Sequence, residues 1–105
     1  MLTLRDSRLA TMQRLGRALA DPSRCSILVA LLEGPRYPAA LAEELGMTRS
    51  NTSNHLSCLR GCGLVTATPE GRQMRYELAD PHLANALSEL LDVALDVNLG
   101  PDCVG

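Results

Sequence analysis

The sequence predicts a mainly α fold carrying one β-hairpin, and three observations predict it. Apolar residues recur at helical spacing through four successive segments, each opened or closed by Pro, Gly or a short polar residue. Immediately after Gly63 the period changes to two, on either side of a Pro-Glu-Gly-Arg sequence. Helical spacing then returns from Leu83 onward. With 105 residues there is room for one domain, and 46% apolar content with mean hydropathy near zero suits a globular one. Strand and helix do not alternate, which disfavours a mixed α/β enzyme fold.

Leu4, Leu9, Met12, Leu15 and Leu19 place a first amphipathic helix over about residues 5–20. Asp21-Pro22 restarts the chain, with Asp21 able to cap the free amides of a second helix and Pro22 suited to its first turn. Ile27, Leu28, Leu31 and Leu32 form that helix's inner face, and Gly34-Pro35 closes it. Pro38 opens a short third helix, with Leu41 and Leu45 inward and Gly46 as its stop. Thr48 caps a fourth, running from Arg49 to about Gly61, where Gly61-Cys62-Gly63 supplies a left-handed exit. Residues 64–68 and 73–78 flank Pro69-Glu70-Gly71-Arg72 as a hairpin. Asp80-Pro81 caps the last helix, whose stripe of Leu83, Ala84, Leu87, Leu90, Leu91, Ala94 and Leu95 extends toward Gly100-Pro101. Residues 1–99 thus read as one domain, and 100–105 as a tail.

Two short helices joined by Gly46-Met47-Thr48 and followed at once by a hairpin make a winged helix-turn-helix, in which the second short helix enters the DNA major groove. Residues 48–56 carry short donors and acceptors that are poor helix formers for an ordinary surface helix. Thr52, Leu56 and Leu59 fall on the inward face, leaving Arg49, Ser50, Ser53, Asn54 and Ser57 outward. Arg can contact guanine and Asn adenine bidentately. The candidate DNA-contacting residues are therefore Thr48, Arg49, Ser50, Asn51, Ser53, Asn54 and His55, with Arg72 and Arg75 on the wing; the plain alternative is a solvated polar helix and ordinary surface charge.

A net charge of −2 argues against nucleic-acid binding until it is resolved along the chain. Residues 45–76 hold Arg49, Arg60, Arg72 and Arg75 against Glu70 alone, whereas residues 77–105 hold six acids and no Lys or Arg. The acidic total hides a basic segment. With no Phe, no Trp and two Tyr, the core must be aliphatic. A small domain buries only about two-thirds of its potential surface, so a second copy is expected on the broad stripe of the last helix. No charged-then-apolar leader and no apolar run of about 20 residues is visible, which predicts a cytoplasmic protein without a membrane span.

In a reducing compartment, four cysteines point to metal or redox chemistry before disulfides. Cys58 and Cys62 are four apart and share one helical face. Cys103 follows the Gly100-Pro101 break, where no core accounts for a thiol. Three thiolates without His or carboxylate suit soft or borderline ions. Cys25, beside Ile27 and Leu28, reads as plain packing. Two alternatives stay open: a thiol redox sensor on the same scaffold, and a metal-binding or protein-interaction module that does not bind an operator. No catalytic dyad or phosphate loop is visible, so an enzyme and an organic cofactor are not expected.

Residues 15–24, the run Ser50 to Val65 with its Cys58-x-x-x-Cys62, and the wing Glu70 to Tyr76 resemble the ArsR/SmtB family of metal-responsive repressors, and within it the cadmium- and lead-sensing branch. That resemblance covers nearly the whole chain. It implies a homodimer built by the first and last helices, operator binding without metal, and release by Cd(II) or Pb(II). It also implies that Cys58 and Cys62 bind the ion with Cys103 of the partner subunit. The family's third-helix site needs cysteines, and Ala39 to Gly46 has none. Its last-helix site needs paired histidines, and only His55 and His82 are present. Next to Asp80, His82 reads as a surface residue at a helix start.

Overall fold

A computed structural model describes residues 3–93 as five helices and one hairpin, in the expected order: α1 (Leu4–Ala20), α2 (Pro22–Leu31), α3 (Pro38–Leu45), α4 (Arg49–Gly61), β1 (Val65–Glu70), β2 (Gln73–Leu78) and α5 (Pro81–Leu91). Each start has a local cause. Thr3 and Asp6 form a reciprocal capping box on α1. Asp21 accepts from the Arg24 backbone N–H at 2.9 Å with Pro22 in the first turn of α2. The Thr48 hydroxyl accepts from the Asn51 N–H at 3.0 Å and opens α4.

The core is aliphatic, as the composition requires: Ile27, Leu28, Leu41, Leu56 and Leu59 are fully buried, with Ala18, Leu31, Leu64, Val65 and Leu87 around them. α2 lies at its centre, packing on α1, α3, α4 and β2. The one buried polar side chain among the described residues is Thr52, whose hydroxyl donates to the Thr48 carbonyl at 2.8 Å. This bond allows a hydroxyl inside the core.

Two expectations are corrected in detail. The hairpin turn is two residues, not four: Glu70 pairs with Gln73, and Pro69 lies within β1 opposite Met74. Pro69 is tolerated because β1 has no neighbour on its other side among the described residues. Gly71, at φ 64°, takes the first turn position that L side chains disfavour. Second, Cys62 stays in the right-handed region (φ −83°), so Gly63 alone makes the left-handed exit from α4 (φ 79°). Among the described residues α5 runs to Leu91, with Asp92 as its C-cap. The Asp92 N–H donates to the carbonyls of Ser88, in helical register, and Glu89. Residues 94–105, including Ala94, Leu95 and Cys103, lie outside the described residues.

One strand-like contact was not foreseen. Arg36 and Tyr76 exchange two backbone hydrogen bonds of 2.9 Å, adding a bridge to the outer edge of β2. It anchors the hairpin to the α2–α3 connection. The molecule is thin, 22 Å in its shortest extent, with a radius of gyration of 15.2 Å. A compact domain of this size would have about 13 Å. Leu4, Leu9 and Met12 on α1 and Leu90 and Leu91 on α5 are exposed, each by more than half. No helix among the described residues is long and apolar enough to cross a membrane.

Candidate nucleic-acid and metal interface

α4 is held by three inward side chains, Thr52, Leu56 and Leu59, all at 0% exposure. This is the face that 100° spacing predicts, and burying it turns the polar remainder outward. Arg49, Ser50, Asn51, Ser53, Asn54, Ser57 and Cys58 are exposed. Thr48 is exposed too, yet its hydroxyl is committed to capping, so it positions the helix start. His55 is half-buried, and it is one of the smaller causes of the lowered pKa of the Asp21 carboxyl. The largest cause there is the Arg24 backbone N–H. Its neighbours Ser53, Asn54 and Ser57 are more open to solvent.

On the wing, Arg72 is exposed in the turn. Arg75 pairs across the ladder with Thr68 and approaches Glu77 at 3.9 Å, on the face opposite Tyr76 and Leu78, which pack on the core. The structure therefore separates the two wing arginines, one at the tip and one on a flank beside Tyr37. The Tyr37 phenol donates to Glu70, and that bond is the main cause holding its proton above the usual tyrosine range.

The two helix-end cysteines come together as spacing predicts. The Cys62 N–H donates to the Cys58 carbonyl at 3.0 Å, setting the two residues one turn apart. Cys58 is exposed, and Cys62 is half-buried against the edge of the core. A soft ion reaching this turn meets one open sulfur and one backed by aliphatic packing. The donor chemistry fits a thiophilic divalent cation. Among the described residues no three His, Cys, Asp or Glu side chains converge, so the pair needs a further donor to close a site. Cys103, expected in that role, lies outside the described residues.

Sequence reasoning missed Arg24. Its guanidinium reaches from α2 to the Cys58 sulfur at 3.3 Å, while Nη2 donates to the Arg17 carbonyl at 3.5 Å. The partners are 34 and 7 positions away, beyond any periodicity argument. One signal was present: a cation in the first turn opposes the helix macrodipole, so it is out of place unless it finds acceptors. Cys25 is half-buried and lines a groove with Leu28 and Val29, outside the side chains packed on the aliphatic core. His82 is 96% exposed and contacts Asp80 at 2.9 Å, the helix-start surface residue expected.

Comparison with known proteins adds to this geometry. Residues 21–67 match the family described as bacterial regulatory protein, arsR family. Over 106 aligned positions the chain is 67% identical to the HTH-type transcriptional regulator CmtR of Mycobacterium tuberculosis, covering 99% of this chain and 87% of that protein. The NMR structure of the cadmium metal-sensor CMTR from the same organism aligns at 69% identity with a TM-score of 0.69, covering 89% of this chain and 97% of that one. The homodimeric winged helix-turn-helix DNA-binding domain Mb0332 from Mycobacterium bovis aligns at 32% identity and a TM-score of 0.76, over 87% of this chain and 86% of that one. The expected architecture is therefore the observed one, with α3 and α4 as the helix-turn-helix and β1–β2 as the wing.

Proposed function

The chain belongs to the arsR family of bacterial regulatory proteins, which regulate transcription and are not enzymes, and from that premise we propose that it is a cytoplasmic, metal-sensing repressor. It binds operator DNA as a metal-free homodimer and leaves it on binding Cd(II) or Pb(II). Residues 1–99 form the DNA-binding and dimerisation unit, and 100–105 the tail that delivers a ligand. Cys58, Cys62 and Cys103 would hold the ion as thiolates. The observation that carries this reading is the placement of the Cys58–Cys62 turn at the end of α4, the second helix of the helix-turn-helix, whose polar outer face is exposed.

On DNA, α4 presents Arg49, Ser50, Asn51, Ser53 and Asn54 to base edges and phosphates, with His55 at the margin and Arg72 and Arg75 along the backbone. A dimer doubles this positive head and covers the exposed leucines of α1 and α5. An ion bound by three thiolates leaves a site of charge −1 beside the phosphates, which opposes DNA binding. Cys62 joins α4 to the hairpin, so ligation there acts on both DNA-reading elements at once. Release requires tighter metal binding by the free dimer than by the DNA-bound one, a coupling of about 1–3 kcal/mol.

The deciding experiment titrates Cd(II) into the reduced dimer on labelled operator, following sulfur-to-metal charge transfer and DNA release together. Both are expected to saturate in step. Cys103→Ser should preserve operator binding and weaken or abolish release; full release from that variant rejects the three-thiolate site.

A further inference from the structure

We propose that Arg24 is a positioning residue of the metal site, holding the Cys58 sulfur and balancing the charge of the thiolate cluster. The inference rests on the sensor reading above and deepens it. Nη1 of Arg24 donates to Cys58 Sγ at 3.3 Å, Nη2 to the Arg17 carbonyl at 3.5 Å, and Nε lies 3.7 Å from the Asp21 carboxylate. The side chain is 23% exposed, so these contacts fix it in one place. Only a guanidinium presents donors in three directions from one rigid plane; a lysine in its place would be a point charge on a flexible stem.

The chemistry follows from charge and reach. Two thiolates neutralise a divalent ion, a third leaves −1, and Arg24 supplies the compensating charge at hydrogen-bond distance from one of the ligating sulfurs. An N–H···S bond uses a lone pair that the metal does not need, so ligation leaves it in place. The same guanidinium grips the last turn of α1 through Arg17 and the cap of α2 through Asp21. Any displacement of Cys58 is therefore felt at the α1–α2 junction, next to the face expected to carry the partner subunit.

The test measures Cd(II) affinity of the reduced dimer by chelator competition for Arg24→Met and Arg24→Lys, each alone and in a Cys58→Ser background. Substitution keeps the Arg24 backbone N–H that donates to the capping Asp21 carboxylate, so the start of α2 is retained in every variant. Arg24→Met is expected to weaken Cd(II) binding about tenfold and Arg24→Lys by no more than about threefold. With Cys58→Ser already present, Arg24→Met should add less than about twofold, because the pair acts as a unit. The charge-transfer band of Arg24→Met should move to longer wavelength, since a sulfur without its donor gives up charge more readily. Unchanged affinity and band in Arg24→Met, with wild type binding normally, overturns the inference and leaves the sensor reading standing. Equal losses in both Cys58 backgrounds also overturn it, by showing that Arg24 acts elsewhere. A wild-type chain with no charge-transfer band removes the sensor reading and this inference together.

Discussion

The phenol of Tyr37 donates a hydrogen bond to the carboxylate of Glu70, joining the residue before α3 to the end of β1 across 33 positions. Together with the Arg36–Tyr76 bridge, it fixes the wing at two points relative to the helix-turn-helix. The bond is also the first cause of the raised Tyr37 pKa, above its ordinary 10.0. A raised folded-state value means that this contribution to stability is complete below pH 10 and is lost as pH rises through the folded pKa. In Glu70→Gln, the Tyr37 titration followed by NMR should fall back toward 10.0. No change in that variant would show that the carboxylate is not the cause.

Acid should act on the helix caps. Asp21 and Asp80 are both held below the ordinary 3.8, first by the backbone N–H groups of Arg24 and His82 respectively. Depressed folded-state values place their contribution above pH 3.8, with loss as pH falls through the folded pKa. Urea midpoints of Asp21→Asn and Asp80→Asn should therefore vary less than wild type between neutral and strongly acidic buffer. Curves parallel to wild type would reject the assignment.

Core and site residues on the same helix should separate cleanly. Leu56 is fully buried, and Leu56→Ala should cost about 2–5 kcal/mol by transfer and cavity terms. Cys58 is exposed, and Cys58→Ser should change stability by no more than about 0.5 kcal/mol while weakening metal binding. Denaturant melts of the metal-free proteins check both values.

Leu90 and Leu91 are 56% and 59% exposed on α5. If they face a second copy, a Leu90→Asp, Leu91→Asp double variant places four charges in one two-fold contact and should sediment as a monomer. Its operator affinity should fall with it. A variant that remains dimeric would move the interface elsewhere.

Arg72 occupies the turn at the tip of the wing. Removing one phosphate contact per protomer should make the slope of log affinity against log salt shallower by about 1.8 for a dimer. Arg72→Ala is measured at several salt concentrations on operator and on unrelated DNA. An equal loss on both is expected of a backbone contact, whereas a loss confined to operator would make Arg72 a base reader.

The parts of this fold legible from sequence are those set by local chemistry. Pro22, Pro38 and Pro81 mark helix starts because each fills a first-turn position where its missing N–H costs nothing. Thr52, Leu56 and Leu59 are inward because spacing dictates it. The Cys58–Cys62 turn follows from the same periodicity. What escaped depends on distant partners. Pro69 looks like a turn residue and is a strand residue because its neighbour strand lies on one side only. Arg36 meets Tyr76, and Arg24 meets Cys58, through packing of α2 that no local pattern encodes.

Cys58 stands outside the aliphatic cluster while Leu56 and Leu59, two positions before it and one after, lie inside. With Cys58 as the proposed ligand, inducer choice and foldedness would rest on different residues of the same helix. A donor atom at position 58 can be exchanged for another without opening a void. On the proposed reading, descendants of this chain would reach new inducers by single substitutions that leave the framework intact.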